Sequence, residues 1–213
     1  MVKNYFLLGV FTLCSLVAEK SISRAGGDTV VEKIKAANAK YTSISGKFKQ
    51  TRHVSVLGKD IVSTGMLYYE KPDKLAMHYD DPSGDLMLIN GDQFVMINAG
   101  KRQEASSKSN AKMRGMKTIL SACLQGDINQ IGSSKITAKE TSQYHVITVE
   151  IDAKTNKSNI RSVVLSFDKS NLSLSVLRTE EPNGSYTIYE LTNKQFDKKI
   201  DASVFISPKN KQK

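Results

Sequence analysis

Residues 65–82, GMLYYEKPDKLAMHYDDP, put apolar side chains on both parities of two short runs and part the runs with a Lys-Pro-Asp corner. Side chains alternate across a strand, so Leu67 and Tyr69 share one face while Met66 and Tyr68 share the other. In the same way Leu75, Met77 and Tyr79 oppose Ala76 and His78. Pro72 has no amide donor and interrupts the ladder at the corner. The next run repeats the pattern, with Leu86 and Leu88 opposite Met87 and Ile89, and Asn90-Gly91 then turns the chain into residues 94–97. A sheet with one wet face alternates more cleanly than this. The meander therefore needs apolar cover on both sides.

Two helical patterns are available as cover. Residues 29–41 place Val30, Ile34, Ala37 and Tyr41 at steps of three and four, and residues 111–125 do the same with Met113, Met116, Leu120, Cys123 and Leu124 before a Gly126 stop. Residues 45–56 alternate around Phe48 and read as a strand. Strand patterns return at 135–139, 144–151, 162–167, 172–179 and 186–191, parted by turn-rich segments, and the tail offers a last short strand. Residues 101–109, KRQEASSKS, read as a polar loop.

The first 18 residues, MVKNYFLLGVFTLCSLVA, carry one early lysine and then an uncharged apolar run of signal-peptide length. The expected division is a signal peptide over 1–25, cleaved after 18 or 25, and a single domain over 26–213, exported to the cell envelope or exterior. Removing 1–25 takes Lys3, Lys20, Arg24 and Glu19, so a chain of net charge +10 stays basic. Such a balance steers towards anionic head groups or acidic partners. With 39% apolar and 24% charged residues the chain is an ordinary globule. Only Cys123 remains after cleavage, which excludes an intramolecular disulfide, and the absence of CxxC, HExxH or a Cys/His cluster gives no support for a metal or other cofactor.

His53, His78 and His145 fall on different strands without a GxSxG elbow, and Cys123 lies on an apolar helical stripe, so the residues give no support for an enzyme. Asp80, Asp81 and Asp85 surround Pro82 and Gly84, where turn chemistry accounts for them. No basic run is interleaved with aromatics on one strand face, which argues against nucleic acid. Met66, Met77, Met87, Met96, Met113 and Met116 lie on strand faces or helix stripes, and unbranched polarizable side chains suit a surface that accepts flexible apolar ligands.

The order of these motifs resembles the LolA family of periplasmic outer-membrane lipoprotein carriers. Phe48 and Gln50 match its F-x-Q, and Gly65, Leu67, Tyr68, Pro72, Leu75, Met77, Pro82 and Asn90-Gly91 follow in the family's order, over roughly residues 37–98. The resemblance implies a mainly β (α+β) fold: a strongly curved antiparallel sheet, an incomplete barrel, closed by a lid of helices over an apolar cavity. It implies a non-enzymatic carrier that binds lipoprotein acyl chains and moves them from the inner to the outer membrane. Its partners would be an inner-membrane release complex and an outer-membrane acceptor, with the carrier a monomer. A carrier of free lipid or glycolipid, or an envelope adaptor, is the alternative. The ligand-binding residues expected on the sheet are Leu67, Tyr69, Leu75, Met77, Tyr79, Leu86, Leu88, Phe94 and Met96. Met113, Met116 and Leu120 are expected from the lid. Where many carriers have an arginine implicated in holding the lid shut, this chain has Lys71, which keeps donors but lacks the planar fork.

Overall fold

The Lys-Pro-Asp corner joins two strands, β3 (Lys59–Glu70) and β4 (Lys74–Tyr79), and the meander continues through β5 (Leu86–Asn90) and β6 (Gln93–Asn98). The computed structural model describes residues 20–21 and 24–208. Before the corner lie β1 (Lys20–Ser21), α1 (Arg24–Ala39) and β2 (Ser43–Val54). After β6 come β7 (Lys101–Ser106), α2 (Ala111–Gln125), β8 (Ser133–Glu140) and β9 (Tyr144–Ile151). The chain then runs through β10 (Ser162–Asp168), β11 (Leu174–Glu180) and β12 (Tyr186–Phe196) to a short 3-10 turn, Ala202–Phe205. Positions 1–19 of the expected signal peptide lie outside the described residues.

All strand pairings are antiparallel, and the strands form one sheet in the order β1-β8-β9-β10-β11-β12-β2-β3-β4-β5-β6-β7. The ends of this order do not pair with each other, so the curved sheet is an incomplete barrel with helices laid against one face.

That face and the helices make the main core. Phe48, Leu67, Tyr69, Leu75, Met77, Met87 and Ile89 pack in one cluster with Val31 and Ile34 of α1 and Ile119, Leu120, Cys123 and Leu124 of α2. The helix α2 has the expected bounds. The Asn110 side chain accepts from the Lys112 and Met113 amides at its start, and Gly126 ends it in the left-handed region at φ 68°. Gly115 lets this helix approach the loop after β9 closely: a Cβ there would lie 2.4 Å from the Asn156 side-chain oxygen. The helix α1 begins earlier than residue 29 and ends before Tyr41, which instead stacks on Phe196 at 4.3 Å. Its buried stripe runs through Val31, Ile34 and Asn38 rather than Ala37 and Tyr41.

The opposite face of the meander has its own cover. Ala76, Leu86, Leu88 and Val95 form a second cluster with Phe205, and Tyr68, Ile97, Ile200 and Val204 pack against it. The tail therefore makes a 3-10 turn where a last strand is expected, and it seats an aromatic plug on the sheet. Polar contacts pin the strap: the His78 Nε2 lies 3.0 Å from the Val204 carbonyl, and the Asn90 amide donates to the Phe205 carbonyl at 3.3 Å. Residues 101–106 are a strand rather than a loop, because Ala99 and Gly100 adopt positive φ and fold the chain back on β6. The buried Asp85 carboxylate accepts the Ala99 amide at 2.8 Å, which fixes that turn.

Phe205→Ala should remove the plug and uncover Leu86, Leu88 and Val95. The expected loss is about 3 to 5 kcal/mol of unfolding free energy, the usual range for deleting a buried phenylalanine. Urea unfolding measures it, as a lower midpoint at an unchanged slope. A loss below about 1 kcal/mol would mean that the strap is not a cover the fold needs.

Candidate functional site

The register between strands decides which apolar residues face the helices. Across β4 and β5, Met77 opposes Met87 and Leu75 opposes Ile89, while Ala76 opposes Leu88. Directly paired residues share a face, so Met87 and Ile89 stand with Leu75 and Met77 under the helices. The expected cavity residues Leu86 and Leu88 are thus on the other face, against Phe205. The alternation within 86–89 is as expected; the phase across the turn at residues 80–85 is not, because that turn sets the register and no residue within the strand records it.

The structure brings most of the remaining candidates together. Leu67, Tyr69, Leu75, Met77 and Leu120 are buried in the main cluster, and Tyr79, Phe94, Met96 and Met116 pack against it. Met113, half-buried in the first turn of α2, lies outside the cluster. At its centre is a seam between α2 and the curved sheet, lined by Leu67, Leu75, Met77, Leu120, Leu124, Leu174, Leu177, Tyr189 and Leu191. The residual cavity in the seam is about 20 Å³. Ligand sites commonly enclose about 300–1,000 Å³, so the helix leucines fill this one almost completely. Leu124, Leu174, Leu177, Tyr189 and Leu191 belong to the site although the motifs in residues 37–98 gave no pointer to them. Four of the five come from β11 and β12, and the sheet order sets β12 next to β2.

The wall of the seam carries no charge. Burial pushes the Tyr69 and Tyr79 hydroxyls up to about 12, and it pushes Tyr189 up as well. All three stay neutral at physiological pH. The Tyr79 hydroxyl donates to the Gln50 side chain at 2.8 Å, and the Tyr69 hydroxyl accepts from Gln125 of α2 at 2.5 Å and donates to the Pro72 carbonyl. Cys123 is fully buried and its thiol is pushed up by burial, the opposite of what a nucleophile needs. The histidines stay apart: His53 pairs with Asp60 at the end of β2, His78 faces the C-terminal strap, and His145 lies on β9 beside Glu140.

Lysines clasp both helices to the sheet. Lys71 reaches the C-terminal end of α1, where its ammonium donates to the carbonyls of Ala39 at 2.7 Å and Asn38 at 3.3 Å. Those carbonyls have no partner within the helix, and a cation there also meets the negative end of the helix dipole. Burial pulls the Lys71 pKa below its usual value, and Asp197 pulls the other way. The Asp197 carboxylate accepts from the Thr42 amide at 2.7 Å and hydroxyl at 2.9 Å, bonds that also lower its own pKa. Lys117, which the sequence reading did not single out, does the same for α2. It donates to the Gly91 carbonyl at 2.6 Å and to Asp73 at 3.1 Å, beside the β3–β4 corner. A lysine set on the stripe of Met113, Leu120 and Leu124 was the signal available for it. The helices meet at Gly126, where a Cβ would lie 3.0 Å from the Ile34 carbonyl.

A larger cavity of about 520 Å³ runs along the other side of α2, between Asp73, Asp92, Lys108, Arg114 and Lys117. Its lining is ionic, and its lysines are paired with its carboxylates, so it does not suit an apolar chain.

Residues 39–207 match the family profile described as "Outer membrane lipoprotein carrier protein LolA". No curated protein sequence matches the chain. Among solved structures, a putative outer membrane lipoprotein-sorting protein domain from Vibrio parahaemolyticus shares the fold at a TM-score of 0.50 and 10% identity, over 84% of this chain and 95% of that one. Lower likeness is found to the Mycobacterium tuberculosis lipoprotein LppX, with a TM-score of 0.45, 14% identity and coverage of 84% and 99%. A LolA superfamily protein from Nitrosomonas europaea gives 0.42, 8%, and coverage of 84% and 97%. The profile match spans most of the chain and agrees with the open curved sheet and its helical cover, so this protein belongs to the LolA family of outer membrane lipoprotein carrier proteins.

Proposed function

We propose that the protein is a periplasmic carrier that takes acyl chains of lipoproteins into the seam between α2 and the sheet and moves them from the inner to the outer membrane. The observation that carries this reading is the seam itself: a wall of leucine, methionine and neutral tyrosine, free of charge, with helix leucines standing where a chain would lie. Leu67, Leu75 and Met77 would hold the chain from the sheet side. Tyr69, Tyr79, Phe94, Met96 and Met116 would extend the apolar track.

Opening would lift Leu120 and Leu124 off the sheet. Burying a leucine contributes about 1.5–3 kcal/mol and an acyl methylene about 0.8, so a chain of about six methylenes offsets both leucines. Longer chains gain beyond that point, before ordering costs. Binding should therefore be weak for short fatty acids and rise steeply with length. Displacement of a fluorescent long-chain fatty acid by a chain-length series measures this, together with mass spectrometry of lipid extracted from protein purified from the cell envelope. If no lipid copurifies and no acyl probe binds, the carrier reading falls.

Lys71 holds the C-terminal end of α1, which meets α2 at Gly126, and through that contact it sets how readily the lid releases. Its two bonds are partly exposed, so the clasp contributes on the order of 1 kcal/mol, enough to shift an open–closed balance about fivefold. Lys71→Leu should speed transfer of a bound fluorescent lipid to acceptor vesicles by about that factor, with little change in the urea midpoint. Lys71→Arg supplies a planar fork to the same carbonyls and should slow transfer. Equal rates for all three proteins would reduce Lys71 to a turn residue.

A further inference from the structure

The hairpin of β2 and β3 ends in an apolar tip that nothing in the seam uses. Among the described residues the exposed large apolar side chains are Val56 at 87%, Leu57 at 63%, Ile61 at 50%, Val62 at 57% and Ile206 at 65%. Four of these fall within residues 56–62. The tip is well defined: residues 55–57 make a 3-10 turn, Gly58 adopts the left-handed conformation at φ 57° and donates its amide to the Ser55 carbonyl, and the Ser55 amide bonds the Ser185 hydroxyl of the neighbouring β11–β12 turn at 3.2 Å. It is thus a built projection with apolar side chains at its end.

We propose that this tip docks the protein on the surface of an anionic bilayer, with Val56 and Leu57 entering the head-group boundary. Charge points to that occupant. Arg52 and Lys59 are exposed and carry no ion pair among the described residues. Of the nearby carboxylates, Asp60 is bonded by His53 at 2.7 Å, Glu180 is held by Arg161 and Arg178, and Asp80 accepts from the Thr64 hydroxyl lower on β3, which leaves Glu181 and Asp81. Apolar side chains flanked by free cations fit a negatively charged membrane interface. Size points the same way: a stable protein interface buries about 800 Å² on each partner, far more than four partly covered aliphatic side chains provide, whereas insertion at a bilayer surface needs only a few. The tip is also continuous with the seam. Ile61, Ser63, Gly65 and Leu67 alternate along the same face of β3, so the strand that would dock is the strand that lines the cavity.

The inference goes beyond the carrier reading and is tested without cargo. The chain contains no tryptophan, so Leu57→Trp introduces a single reporter at an exposed site. Its emission should shift to the blue on adding vesicles of mixed phosphatidylcholine and phosphatidylglycerol, and brominated acyl chains should quench it. Flotation with the same vesicles should show Val56→Ser/Leu57→Ser reducing partition by about tenfold or more, since two apolar anchors are lost. Arg52→Ala and Lys59→Ala should each reduce it about fivefold on the mixed vesicles and hardly at all on pure phosphatidylcholine. Thermal melting and acyl-probe binding in solution should be unchanged in all these variants. An unshifted emission, or a serine variant that floats like the parent protein, overturns the inference. So does a serine variant whose one defect is the loss of self-association at high protein concentration, which would assign the tip to a second copy. Vesicle binding through the tip by a protein that takes no acyl probe supports the tip and refutes the carrier reading, so the two failures are told apart.

Discussion

Everything in this molecule follows from a sheet that is apolar on both faces where β3, β4 and β5 meet. Such a sheet is stable only between two covers. The helices supply one and the C-terminal strap supplies the other, with Phe205 set on Ala76, Leu86, Leu88 and Val95. The two covers differ in kind. The strap inserts an aromatic ring and pins its own backbone to His78 and Asn90. The helix α2 lays a row of leucines on the sheet, and the contacts between its side chains and the corner are polar and peripheral: Lys117 at Asp73 and Gly91, Gln125 at Tyr69.

Under the proposed function, that difference separates a permanent core from an exchangeable one. In the seam the sheet is met by aliphatic side chains that a hydrocarbon chain can imitate, because burial of apolar area is non-directional and asks only for surface removed from water. The polar clasps add direction without adding much energy. Lys71 and Lys117 hold helix and turn carbonyls at partly exposed sites, where ion–dipole contacts are screened. A lid closed by area and aligned by weak clasps can open against a ligand that replaces the area. The neutral tyrosines keep the wall free of charge, so a chain would meet no buried ion that it left unpaired.

Much of this was legible in the residues. Strict parity in 65–79 revealed the double-faced sheet, the Asn90-Gly91 turn located a hairpin, and Gly126 marked the end of α2, because caps and tight turns are chemistry between near neighbours in the chain. Residues 101–106 were misread for a related reason: a polar edge strand buries little and so lacks a periodic pattern, and the turn at Ala99-Gly100 was its only local mark. The start of α1 was missed because no periodic apolar residue precedes Val30.

What the chain decided by itself is therefore most of the inventory: the strands that carry a periodic apolar pattern, that the meander needs two covers, that Cys123 is filler, and that a lysine stands at the corner. Which cover goes on which face was decided in three dimensions. The parity of 86–89 relative to 75–77 depends on the register across the turn at 80–85, and a one-residue change there would have sent Leu86 and Leu88 to the seam and Met87 and Ile89 to the strap. In the same way Leu174, Leu177, Tyr189 and Leu191 join the site because the sheet order sets β12 beside β2. Long-range pairing brings together residues whose local patterns are indistinguishable from those of any other buried strand.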